Sequence, residues 1–71
     1  MIIKVANRFY QMPRHQAKQL LKIASELVPS GIYAIEHNGY MELMNTPMTR
    51  SEIKKKRKEY GRAGWRIYAN E

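Results

Sequence analysis

The chain reads as one small domain of the α+β class: a two-layer β-α-β-β-α-β sandwich with two helices on one face of a mixed or mostly antiparallel sheet. Three observations predict it. Asn38-Gly39 divides two apolar runs, two other segments carry helical spacing, and alternating stretches lie near either end. A β-α-β-β-α core with residues 65–71 as a tail is the competing arrangement.

Residues 2–10 read as one strand. Ile3, Val5 and Phe9 alternate with Lys4, Arg8 and Tyr10, although Ile2 and Ala6 blur the pattern. Pro13 suits the first position of a helix, where an N–H would have no partner. Ala17, Leu20, Leu21, Ala24, Leu27 and Val28 then recur at spacings of three and four, the stripe of a helix facing a core. Pro29-Ser-Gly31 ends that helix.

Asn38-Gly39 lies between Ile32–His37 and Tyr40–Met44. Both turn residues tolerate positive φ, which predicts a two-residue type I′ hairpin. Such a turn sets His37 opposite Tyr40, Ile35 opposite Glu42 and Tyr33 opposite Met44. Thr49-Arg-Ser-Glu52 is a capping box, and Met48 with Ile53 is placed as a hydrophobic staple. The second helix therefore starts at Thr49 and ends at Gly61 or Gly64. Trp65–Tyr68 alternates and reads as a closing strand.

The first β-α-β unit is expected to be parallel and right-handed. Alternation then assigns Ile3, Val5, Ile32, Ala34, Met41, Leu43, Trp65 and Ile67 to the helix-covered face. Lys4, Arg8, Tyr33, Ile35, His37, Tyr40, Met44, Arg66 and Tyr68 fall on the other.

Seventy-one residues make a single domain, residues 1–71, with a small core that a dimer could supplement. The absence of cysteine excludes disulfides and thiolate chemistry, and no stretch approaches a membrane span of about 20 apolar residues. A cytoplasmic location is expected for an unstapled domain of this size. Thirteen Lys and Arg against six Glu give a net charge of +7, which favours anionic partners.

The cations are patterned. Arg50, Lys54, Lys58 and Arg62 recur every fourth residue through the second helix, and Arg14, Lys18 and Lys22 do so in the first. Like charges at that spacing repel by roughly 0.2–0.5 kcal/mol per pair. Lys54 and Lys58 have no acidic residue three or four positions away to offset it. Such rows match a phosphate backbone. A solvated helix face is the bland alternative.

With both helices on one side, the two rows would form one basic ridge. Tyr33, Tyr40 and Tyr68, with cations among them on the open sheet face, would stack bases or contact a protein partner. His15 and His37 lack the companions of a metal site, and nothing forms a nucleophilic triad.

The expectation is thus a basic, non-enzymatic module that binds nucleic acid, DNA or RNA. No cofactor, metal, membrane or small-molecule substrate is expected. The alternative is an adaptor or small inhibitor of a larger, acidic protein, using a Tyr-rich sheet face, with a homodimer as a further arrangement.

Overall fold

The computed structural model describes residues 1–71. The elements are β1 (Ile2–Val5), β2 (Arg8–Gln11), α1 (Arg14–Leu27), β3 (Gly31–His37), β4 (Tyr40–Pro47), α2 (Arg50–Arg62) and β5 (Arg66–Asn70). They build an α+β fold around one mixed five-stranded sheet of order β2-β1-β4-β3-β5. The expected element order holds, with one insertion. Residues 2–10 are a hairpin instead of a single strand. The chain reverses at Ala6-Asn7, where Ala6 has φ +56°, and Val5 pairs with Arg8. The blurring of alternation at Ile2 and Ala6 is the trace of that reversal.

The inserted strand changes the crossover. β1 runs parallel to its neighbour β4 and therefore antiparallel to β3. The parallel unit is β2-α1-β3, because β2 is antiparallel to β1.

The helices lie on opposite faces, not on one. Cross-strand register shows this directly, since paired residues share a face. Ile3 pairs with Met41, Met41 with Glu36, and Leu43 with Ala34. On this face Ile3, Ala34 and Met41 are buried against Ala17 of α1. Ile35, one residue along β3, points the other way and joins Ile32 and Ile53 of α2. Helix-on-sheet packing thus occurs twice, once per face.

Handedness gives the reason. β2-α1-β3 and β4-α2-β5 are both parallel crossovers and both advance toward β5, but β4 runs opposite to β2. Two right-handed crossovers of opposite polarity that advance the same way must use opposite faces.

The Asn38-Gly39 hairpin forms as expected, with φ of +44° and +77°, and His37 faces Tyr40 while Ile35 faces Glu42. Tyr33 does not face Met44. A bulge intervenes between Ile32 and Ala34, so Ile32 pairs with Thr46. The bulge turns Tyr33 to the α1 face beside Ala34 and leaves Ile32 on the α2 face.

At α2 the capping box is complete. Thr49 Oγ1 accepts from the Glu52 N–H at 3.3 Å, and Glu52 Oε1 accepts from the Thr49 N–H at 3.1 Å. Met48 packs on the same cluster as Ile53. Gly64, at φ +84°, ends the helix. The Trp65 N–H reaches back to the Tyr60 carbonyl at 2.9 Å and the Gly64 N–H to Gly61 at 3.0 Å, the two bonds of a Schellman motif. No helix is long and apolar enough to cross a membrane.

Candidate nucleic-acid interface

The cation rows take their positions from the two helix registers. Ile53 points α2 at the sheet. At 3.6 residues per turn, Arg57 and Arg50 lie about 40° and 60° round from it, and Lys54, Lys58 and Arg62 about 100°, 140° and 180° on the same side. That side faces β5. Arg57 Nη1 meets Glu71 Oε1 at 3.2 Å and Arg50 Nε meets Glu71 Oε2 at 3.7 Å, just beyond the end of β5.

Helix α1 is pinned by Ala17. Arg14, Lys18 and Lys22 fall about 60°, 100° and 140° to one side of it. This side also faces β5. Asn70 Nδ2 donates to the Ser25 and Val28 carbonyls at 2.7 and 2.9 Å, and Arg14 and Lys18 share a cleft with Arg66 and Tyr68.

The expected single ridge on one helical layer does not form, because the sheet separates the helices. The two rows instead lie on opposite faces of the sheet, each beginning at the β5 flank of its helix with Arg14 or Arg50 and winding outward. Lys22, Lys58 and Arg62 thus turn away from the sheet, while Arg66 of β5 lies on the α1 side.

Two of the seven cations are engaged internally. Arg14 Nη2 pairs with Glu36 Oε2 at 3.2 Å, and Arg50 with Glu71. Both arginines are well exposed, so each pair contributes well under about 1 kcal/mol. Lys18, Lys22, Lys54, Lys58 and Arg62 are exposed and make no ion pair.

No known family model, curated protein or solved structure matches this chain.

Arg66, beside α1's row, and Lys55, about 160° round α2 from Ile53 on the flank away from Lys54, were not among the expected phosphate contacts. Lys55 is exposed on the outward side of α2, and its spacing of three from Lys58 and seven from Arg62 is the sequence signal for it. Arg66 is on the edge strand with its guanidinium 4.8 Å from the Tyr68 ring. Sequence alternation sent it to an open sheet face because it did not reveal that β5 forms the border.

The three tyrosines expected on one face are divided. Tyr33 and Tyr68 lie on the α1 face with ring centroids 6.2 Å apart. Tyr40 is on the α2 face, edge-on to Trp65 at 6.0 Å, with its hydroxyl donating to Glu42 at 3.2 Å. Trp65 also stacks on His37 at 5.1 Å. Burial, then the Glu36 bond, raises the Tyr68 hydroxyl pKa; burial, then Glu42, raises that of Tyr40. No common stacking platform results. Of the residues sorted to the outer face, Ile35 and Met44 are covered by α2, and Arg8, Tyr33, Arg66 and Tyr68 lie on the α1 side.

Proposed function

We propose that this chain is a non-enzymatic module that binds nucleic acid through phosphate contacts along its β5 edge. Lys54, Lys58 and Arg62 supply one row, Lys18 and Lys22 the other, with Arg14, Arg50, Lys55 and Arg66 at the margins. One observation carries this reading. Five exposed cations, Lys18, Lys22, Lys54, Lys58 and Arg62, make no ion pair and follow one another along the β5-side and outward surfaces of the two helices, one on each face of the sheet. Repulsion along each row is relieved when phosphates lie against it, and release of counterions drives the association.

The divided tyrosines leave little for base stacking, so duplex and single strands are expected to bind with comparable, sequence-tolerant affinity. The alternative, an acidic protein held on a Tyr-rich sheet face, has less support, because Tyr40 lies on the opposite face from Tyr33 and Tyr68.

The test is titration of labelled duplex and single-stranded oligonucleotides at two salt concentrations. Binding that weakens steeply with salt is expected. No binding at low salt, or an affinity indifferent to salt, overturns the proposal.

A further inference from the structure

The end of the sheet opposite the basic edge is apolar. The large apolar side chains that remain exposed are Ile2, Val5, Phe9, Tyr10, Ile23 and Leu27. Four belong to the β1–β2 hairpin. Ile23 and Leu27, on the flank of α1 turned toward it, line a groove of about 360 Å³ with Val5 and Leu43. Phe9 is 64% exposed and lies on the border strand itself.

β2 also offers unpaired backbone. Met1 and Met12 exchange both N–H···O bonds at 3.0 Å. Antiparallel pairs alternate, so Ile3–Tyr10 and Val5–Arg8 are the bonded pairs of this hairpin. Phe9 and Gln11 therefore direct their N–H and C=O groups away from β1. Exposed strand edges are ordinarily blunted by shortness, charge, proline or a bulge. Arg8-Phe9-Tyr10-Gln11 is short and carries one charge, Arg8, at its turn end, but the outward-bonding residues Phe9 and Gln11 are uncharged and the strand holds no lysine, proline or bulge. The β5 edge, by contrast, is bordered by cations on both sides.

We infer that β2 is a self-association edge, pairing antiparallel with β2 of a second copy about a two-fold axis at Tyr10. Residues opposite one another must share a face, so the axis passes through a residue and not between two. Centring on Tyr10 sets Phe9 against Gln11 of the second copy, twice, and satisfies all four outward donors and their acceptors. Centring on Phe9 would set Gln11 against Asn7 in the turn. The result is a ten-stranded sheet in which Tyr10 meets its own symmetry mate.

Charge selects a second copy joined here and nowhere else on the sheet. Of thirteen Lys and Arg, only Lys4 and Arg8 lie on the β1–β2 hairpin, and Lys4 is paired with Glu42 at 3.3 Å. Pairing through β2 puts the two β5 edges nine strand spacings apart, roughly 43 Å. Screening extends only about 8 Å at physiological salt, so two copies of +7 approach without opposition between their basic edges.

Sedimentation equilibrium of the full chain, without nucleic acid, is expected to give twice 8.4 kDa. Gln11→Pro deletes an outward N–H at no cost to the hairpin and should return the monomer. The chain has no cysteine, so Tyr10→Cys is a clean probe. A non-bonded antiparallel pair has Cα atoms about 4.5 Å apart, within disulfide reach. Tyr10→Cys should cross-link to a dimer under mild oxidation while Lys55→Cys, exposed on α2, does not. A wild-type monomer at tens of micromolar, or a dimer that ignores Gln11→Pro and cross-links no better at Tyr10→Cys than at Lys55→Cys, overturns the inference. Either outcome is independent of whether nucleic acid binds.

Discussion

The Tyr68 hydroxyl donates to Glu36 Oε1 at 2.7 Å, and this bond joins a ring that already packs on the α1-side core to a carboxylate of the neighbouring strand. Glu36 turns its other oxygen to Arg14. The carboxylate thus ties β3 to β5 and to the first turn of α1. Tyr68 is thereby tied into the scaffold beneath α1.

Tyr68→Phe should therefore lower stability by about 1 kcal/mol in urea unfolding and leave oligonucleotide affinity unchanged. It should also alter the alkaline limb. Tyr68 is held above its ordinary pKa in the fold, by burial first and by Glu36 second. The unfolded chain therefore ionises first, and the stability is present below about pH 10 and lost as pH rises from there through the folded value. The Phe variant lacks that loss. A drop in affinity with unchanged stability would instead make Tyr68 a contact residue.

Gly31 has φ +141°, and a Cβ there would run into the Thr46 carbonyl oxygen and come within 2.9 Å of Pro47 Cα. Both neighbours are backbone of the paired strand β4, which cannot yield without breaking the ladder. Gly31→Ala should cost at least about 2 kcal/mol in chemical denaturation. A change below about 0.5 kcal/mol, typical of a neutral surface site, would contradict the close approach.

Thr49→Ala should cost about 1 kcal/mol, because it removes the acceptor for the Glu52 N–H at the start of α2. Glu52 is held below the ordinary glutamate pKa, chiefly by the Thr49 backbone N–H and then by its hydroxyl. Its contribution is present above about pH 4.3 and is lost as pH falls from there through the folded value. Acid titration of stability should show a shallower loss in Glu52→Gln than in the wild type, and equal slopes would reject the linkage.

Local chemistry was legible in the sequence, and long-range placement was not. Asn38-Gly39 and Thr49–Glu52 are contiguous signals whose geometry is closed within a few residues, and both formed as read. The hairpin at Ala6-Asn7 was missed because alanine carries no preference for positive φ. That one reversal changed the polarity of the strand entering α1, and so the face on which α1 packs. Tyr33 moved to that face through a bulge, which alternation cannot anticipate. The cation rows were visible as spacing. Their separation onto opposite faces of the sheet was not, because it depends on the polarity of the strands that each helix joins.

The salt dependence of a doubly neutralised variant tests the basic edge most directly. Each phosphate contact contributes about 0.9 to the slope of log affinity against log salt. Lys54→Gln with Lys58→Gln removes two unpaired cations and their mutual repulsion, so the fold should persist by circular dichroism. The account predicts weaker binding and a slope shallower by about 2. Affinity and slope equal to those of the wild type, in a folded double variant, would contradict it.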